Sequence, residues 1–450
     1  MNSTRVRRRD FLAYGALGLP LAFAALPLYV HVPRLYAELG LSLATIGVVL
    51  LAARIVDAVT DPLIGWAIDR MPDRRRWVAL ALPVLGLGLF VLLAPPSGIG
   101  AAGLLTLLVI VSLGYSVATI AYNAWGAEVA TTAVSRTQFV ASREAFGLVG
   151  VVLAAALPAL LAGGQGEAVG LARLGIVFLP LLVLLGGWTL WRSPRSAGGR
   201  PSRRPVLAGL GAAMRVPGFA HLLAVFAVNG IAAAVPSATV LFFVADVLEA
   251  SAQAGLFLVL YFVAAAVSLP LWVAVSRCIG KSRSWLAGMV LAVAVFGWAA
   301  NIAAGDVLAY GVICVLSGVA LGADLSLPTS ILADLLAPVR GGEDTDAASS
   351  AVAAPTSLAG ACFGWWNFVT KANLALAAGL ALPLLAGLGY APGVRTPDAL
   401  AALSIVYAVL PVVLKLGAIV LLWRWHLLLE TASIAQQTTA ARAPCGVCES

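Results

Sequence analysis

Apolar residues occur along the chain in twelve long blocks, roughly 11–32, 43–67, 77–94, 100–125, 144–163, 171–191, 217–246, 252–275, 284–304, 307–335, 357–389 and 399–425. Each is close to or above the ~20 residues a helix needs to cross a bilayer. Inside lipid every backbone N–H and C=O must be satisfied within the segment, so the blocks read as helices. The pattern predicts an all-α integral membrane protein with twelve transmembrane helices.

The polar breaks give these helices an orientation. Of the 28 Lys and Arg residues, twenty-two fall in breaks on one side of the twelve spans. Three, Arg34, Arg173 and Arg395, fall on the other, and three, Arg54, Lys371 and Lys415, lie inside spans. Basic loops stay in the cytoplasm. Both termini are therefore expected inside, in a bacterial cytoplasmic (inner) membrane.

The longest polar break lies around 192–216, contains RSPRSAGGRPSRRPVLAGLGAAMR, and divides six spans from six. The expected units are 1–192, a basic linker at 193–216, a second bundle at 217–428 and a cytoplasmic tail at 429–450. A weak repeat relates the halves. Pro62-Leu63, Arg75 and Trp77 recur as Pro270-Leu271, Arg283 and Trp285, each offset by 208 residues. Two pseudo-symmetric six-helix bundles are the plan of major facilitator transporters, with the substrate site near the midplane between them.

Composition removes other classes. The chain is 61% hydrophobic and 11% charged, with a mean hydropathy of +0.99, whereas a soluble domain carries about 25% charged residues. The net charge of +8 belongs to loops between spans, so it marks topology and no nucleic-acid partner. RRRDFLAYGALGLPLAFA at the N-terminus has the form of an export signal, but no soluble cargo follows it. The tail's CGVC, Cys445 and Cys448, supplies half a zinc site at most, and no metal is expected. His31, His221 and His426 are far apart and near span ends, which argues against a membrane-embedded enzyme. The 45 glycines suit close helix contacts in lipid.

One stretch conflicts with its surroundings. ARIVDAVTDPLIGWAIDR, residues 53–70, places Asp57 and Asp61 in a membrane span just after Arg54. The repeat puts Ala265 and Leu269 at the matching positions, so the scaffold itself needs no acids there. A charge at mid-bilayer costs several kcal/mol. Residues four apart share a helix face, so both carboxylates point the same way. Such a pair suits a monovalent cation or a shared proton, and Pro62 can free backbone carbonyls as further ligands. The alternative is an ion-pair network in which Arg54 and another basic residue lock helices together.

RIVDAVTDPLIGWAID resembles the second helix of the glycoside–pentoside–hexuronide:cation symporter family, the melibiose permease group of the major facilitator superfamily. YNAWGAEV with Arg136 and ASREAFG resembles that family's fourth helix and following loop. FGWWNFVTKANLALAAGLALPLLAGLGY resembles its eleventh helix. The resemblance implies that Asp57 and Asp61 bind the coupling cation, with Ser116 and Lys371 completing the site. It implies substrate-binding positions at Thr119, Asn123, Trp125 and Arg143, and the aromatic and amide groups Trp366, Asn367 and Thr370 lie beside Lys371. GWAIDRMPDRRR resembles the superfamily's loop after the second helix. A cytoplasmic gate is therefore expected from Asp69, Arg70, Arg74, Arg75, Arg76 and Arg136, with Asp334 at the inner end of the tenth span. Asp324 can line the cavity, and Lys415 reads as a snorkelling lysine.

The sugar half of the family pattern is missing. Its galactoside-binding aspartates align with Leu21 and Thr119, and its pocket tryptophan aligns with Asn123. The expected function is a secondary active symporter, coupled to Na+ or H+ and carrying a sugar or other small organic solute by alternating access. The rival is a transporter or flippase of a lysolipid-like or amphiphilic solute. No cofactor is expected beyond the monovalent cation as co-substrate. The expected partners are the solute and membrane lipid, around a monomer.

Overall fold

The structure, a computed structural model, describes residues 8–41, 43–71, 73–130, 132–194, 205–336, 358–390 and 393–441. The loop at 340–357, the CGVC tail and residues 195–204 of the linker lie outside the described residues. Those described are almost all helical and contain no strand. The first half comprises α1 (Arg8–Gly15), α2 (Gly18–Glu38), α3 (Leu43–Arg70), α4 (Arg74–Leu93), α5 (Ala101–Val129), α6 (Ala133–Ala162) and α7 (Glu167–Arg192). A short helix, α8 (Val206–Met214), lies in the linker. The second half comprises α9 (Phe219–Phe242), α10 (Ala254–Ile279), α11 (Lys281–Ala299), α12 (Val307–Leu335), α13 (Ala359–Gly387), α14 (Pro397–Ser404) and α15 (Leu410–Ala441).

Among the described residues, ten stretches are long and apolar enough to cross a membrane. Two of them join helices into single rods: Arg8–Pro33 runs from α1 into α2, and Pro397–Glu430 runs from α14 into α15. α3 and α13, with 28 and 29 residues, match the others in length and bring the rods to the expected twelve. Large apolar side chains such as Leu80, Val183, Leu308 and Trp423 stand exposed on the outer surface, as a lipid-facing perimeter requires.

Several helices run past their apolar blocks, for local reasons. Asp73 caps α4 by accepting from the Arg75 backbone N–H, so Arg74 to Arg76 form a first helical turn rather than a loop. Thr132 and Ser135 form a reciprocal capping box, which starts α6 at Ala133 instead of near 144 and puts Arg136 and Arg143 on the helix. α3 continues to Arg70, so Asp69 is held on a rigid element.

The two halves share one packing scheme. In the first, α4 packs on α5 and α7, α3 on α5, and α2 on α6. In the second, the equivalent spans repeat this: α11 on α12 and α15, α10 on α12, and α9 on α13. The halves meet chiefly through α3 against α13 and through α6 against α10 and α12. One buried core fills the first half and continues into the second at the end of the molecule where α3 stops and α4 starts, here called the basic end. A separate core around Phe243, Tyr310 and Tyr407 fills the opposite end of the second half.

The α3–α13 seam is built on missing side chains. A Cβ at Gly65 would strike the Gly360 carbonyl, one at Gly360 would strike the Gly65 carbonyl, and one at Gly364 would lie 2.7 Å from the Asp61 carbonyl. Gly360 and Gly364 form a G-x-x-x-G element, which lets helix backbones approach in lipid. Overpacking of this kind costs about 1–3 kcal/mol. Gly65→Val and Gly364→Val are each expected to lower the thermal unfolding midpoint of the purified protein. Gly187→Val, at an α7 position with open space around it, should leave it nearly unchanged.

Candidate functional site

The seam brings together the charges that the sequence leaves inside the membrane. Asp57 and Asp61 lie one turn apart on α3 and both are buried. Lys371 reaches them from α13 in the other half. Its Nζ is 3.3 Å from Asp57 Oδ2 and 3.0 Å from Asp61 Oδ2, and it donates to Ser116 Oγ on α5 at 2.8 Å. Asn367, one turn before Lys371, donates to Asp61 Oδ2 at 2.8 Å. Arg54 sits 3.7 Å from Asp57 Oδ2 and keeps 32% of its side chain exposed. Two carboxylates thus face two cations, and the ammonium is surrounded by oxygens much as a dehydrated monovalent cation would be. Removing one partner of such a buried pair is strongly destabilising, because it leaves a bare charge.

A second set of polar contacts ties the halves together at the basic end. Asp69 accepts the backbone N–H groups of Gly360 at 2.7 Å and Ala361 at 2.8 Å, across the seam. These donors open α13, where free N–H groups and the helix dipole favour an anion. Arg74 holds Asp69 at 3.0 Å and Glu128 at 2.9 Å. On the other flank Arg136 of α6 pairs with Asp334 at 3.0 Å, Lys281 pairs with the same carboxylate at 2.6 Å, and Thr137 meets Ser330 at 2.8 Å. Arg74–Glu128 joins the start of α4 to the end of α5, as Lys281–Asp334 joins the start of α11 to the end of α12.

Among the expected gate residues, Asp69, Arg136 and Asp334 cross between the halves. Arg70 lies over the Trp66 ring of its own helix at 4.1 Å, and Arg75 over Trp125 of its own half at 5.7 Å. The arginine bound to Asp69 is Arg74, because the Asp73 cap turns that side chain inward at the helix start. Glu128 and Lys281 were visible as charges beside spans. Which charge each would pair with was not, since the partner lies on a neighbouring helix far away in sequence.

The residues expected to hold solute do not converge. Thr119 donates to the Tyr115 carbonyl and Thr370 to the Trp366 carbonyl, each within its own helix. Asn123 accepts from Arg143, which also binds Glu144. Trp125 is fully buried at the basic end, with its indole N–H on the Pro194 carbonyl at 3.0 Å. Trp366 stacks on Phe226 with centroids 3.7 Å apart. Asn367 belongs to the charge cluster, since its amide is committed to Asp61. Arg143 and Asn123 line a small cavity between the halves with Arg136, Thr329 and Phe363.

Lys415 corrects a further expectation. Instead of snorkelling, it is buried and binds Asn229 Oδ1 at 2.8 Å and Asp324 Oδ2 at 2.7 Å. The other Asp324 oxygen accepts from Trp285 Nε1 at 2.8 Å. With so few charges in the spans, a lone lysine and a lone aspartate facing one bundle interior are a pair by default, and that was the available signal.

Residues 11–428 match the model of a family described as MFS/sugar transport protein. No curated protein matches the chain by sequence. Solved structures share its fold at low identity. A bacterial homologue of the iron transporter ferroportin, in the outward-facing state, aligns with a TM-score of 0.67 at 16% identity over 94% of this chain and 100% of its own. The E. coli fucose:proton symporter FucP gives 0.64 at 11% over 91% and 98%. The human organic anion transporter MFSD10 gives 0.60 at 16% over 92% and 99%. The helical rods of the described residues, in two halves of matching packing that share a buried charge cluster, agree with that family: the chain belongs to the MFS/sugar transport proteins and is a membrane transporter of the major facilitator superfamily, not an enzyme.

Proposed function

We propose that the protein is a secondary active transporter that couples a monovalent cation, Na+ or H+, to the movement of a small organic solute by alternating access. The observation that supports this reading is the Lys371 ammonium, which bridges Asp57 and Asp61 of one half from the other half. A cation arriving at the carboxylates competes with the ammonium. It therefore changes a contact between the two bodies that must rock, which gives ion occupancy a differential effect on the two states. The ties at Asp69 and Arg136–Asp334 would hold the basic end shut while the carrier faces the other way. With the basic loops in the cytoplasm, that makes it an inner gate in a bacterial inner membrane.

The nature of the solute has two readings. A sugar fits the family. An amphiphilic, lysolipid-like solute is favoured by one observation: Thr119, Asn123, Thr370 and Asn367 are all committed to other protein groups, which leaves few polar anchors for a sugar's hydroxyls.

Uptake into proteoliposomes separates these readings. Radiolabelled sugars and lysophospholipids would be offered with a sodium gradient, a proton gradient or none. Gradient-dependent accumulation of either class supports coupled transport, and accumulation indifferent to both gradients rejects it. For the solute that accumulates, Asp57→Asn, Asp61→Asn and Lys371→Ala should each reduce gradient-driven uptake to background. Exchange without a gradient should survive better in the aspartate variants.

The gate gives a separate expectation. Asp69→Ala removes two hydrogen bonds to a carboxylate and one ion pair, and hydrogen bonds to charged groups contribute about 1.5–3 kcal/mol each. A shift of that size biases a two-state equilibrium without touching solute. Transport rate should fall several-fold more than solute affinity, measured by uptake against equilibrium binding.

A further inference from the structure

The small cavity between the halves at the basic end has an unusual balance of charge. α6 contributes Arg136, Phe139 and Arg143 to its wall, and α5 contributes Asn123. The second half contributes Thr329 of α12 and Phe363 of α13. Arg136 and Arg143 are seven residues apart, two turns or about 10 Å of helix, so they share one face of α6. Two guanidiniums line this cavity and, among the described residues, no carboxylate does.

The partners of these arginines lie outside the cavity wall or are neutral. Arg136 and Lys281 draw on one carboxylate, Asp334, at 3.0 and 2.6 Å. Arg136 uses Nη1 for that contact. Its Nε is buried and has no hydrogen-bond partner among the described residues. Arg143 is held through Nε and Nη2 by Glu144, its neighbour in sequence, and through Nη1 by the Asn123 amide oxygen. A guanidinium offers donors and no acceptor. A buried donor left without an acceptor is costly, and an ionised oxygen satisfies it far better than a neutral one.

We propose that the transported solute carries a phosphate group, and that this cavity receives it between Nε of Arg136 and Nη1 of Arg143. The proposal rests on the transport reading above and narrows its solute. A carboxylate has two oxygens, which a single guanidinium can fill. A phosphate monoester has three terminal oxygens and more than one charge, so it can accept from both arginines at once. Arg143 keeps Glu144 and turns Nη1 from the Asn123 amide to the phosphate, exchanging a neutral acceptor for a charged one. Phe139 and Phe363 offer apolar surface to the remainder of the solute.

The same event reaches the gate. The cavity is small while the basic end is tied shut, and a phosphate entering it must part Arg136 from Asp334. The bound phosphate and the closed tie are therefore alternatives for one guanidinium. Asp334 is not left bare in the exchange, because Lys281 stays with it. Solute binding thus weighs differently on the two states of the carrier, which a neutral solute in the same place would not achieve.

The test is calorimetric binding to the full-length protein in lipid nanodiscs, with empty nanodiscs as the blank. Glucose 6-phosphate, glucose and glucuronate probe a sugar source of the phosphate; oleoyl lysophosphatidic acid and monoolein probe a lipid source. In one of the two sets the phosphate probe should bind at least about tenfold tighter than its neutral counterpart, since one charged hydrogen bond is enough for that. The set that shows the difference identifies the source. Arg143→Gln and Arg136→Gln should each weaken the phosphate probe by about tenfold or more and leave the neutral probe unmoved. Arg277→Gln, at an exposed basic position outside the cavity, should change neither. Arg143→Lys keeps the charge and loses the fork; it should weaken the phosphate probe several-fold, and it carries the test if the glutamine variants fold poorly. Equal binding of phosphate and neutral probes in both sets would overturn the proposal. So would phosphate binding unmoved in the arginine variants, or glucuronate binding as tightly as glucose 6-phosphate. Each of these leaves coupled transport standing where uptake still follows an ion gradient. Arginine-dependent phosphate binding with uptake indifferent to both gradients would support the site and reject the coupling.

Discussion

The cluster of Lys371 with Asp57 and Asp61 sets terms for the rest of the molecule. In a low-dielectric interior, charges attract far more strongly than in water, and each is far costlier when alone. The ammonium on α13 therefore needs α3, and the carboxylates on α3 need α13. Neither helix can leave the other without a replacement charge or a change of protonation. That condition distinguishes this interface from an apolar helix contact, which in lipid has little to drive it beyond packing.

The seam around the cluster follows from the same requirement. A lysine can hold two carboxylates and the Ser116 hydroxyl at 2.8–3.3 Å only if the helix backbones come close. Gly65, Gly360 and Gly364 permit this. Close approach also brings the open N-terminus of α13 onto Asp69, so one geometric feature serves both the Lys371 cluster and the contacts at the basic end. The two sites sit on the same pair of helices.

Sequence reading reached the spans, the division into halves and the central pair of acids, because each left a local mark. Apolar blocks of span length are unambiguous, and Asp57 and Asp61 stand out against Ala265 and Leu269 in the repeat. Lys371 was legible as a charge that had to be paired. What was not legible depends on contacts between helices. The register of α4 turned on Asp73 acting as a cap, which singled out Arg74 from the basic run Arg74 to Arg76 as the partner of Asp69. The commitment of Asn367 to Asp61 depended on the rotation of α13, since its side chain equally suits a solute pocket. The pairing of Lys415 with Asp324 had only the scarcity of charges in the spans as a signal, and its geometry needed the packing of α15 against α9 and α12.

That last pair shows how the first cluster differs from a buried charge pair within one half, and why the proposed coupling is placed there. Lys415, Asp324, Asn229 and Trp285 all belong to the second half. Both oxygens of Asp324 are engaged within its own half. Asp57 and Asp61 have their lysine in the other bundle, and Asp57 Oδ1 has no hydrogen-bond partner among the described residues. A closed network inside one rigid body stabilises that body in every state. A network that crosses between bodies and is incompletely satisfied has a free energy that depends on both the arrangement of the halves and the ion present. The scaffold repeats its packing in both halves but places this open arrangement only where they meet.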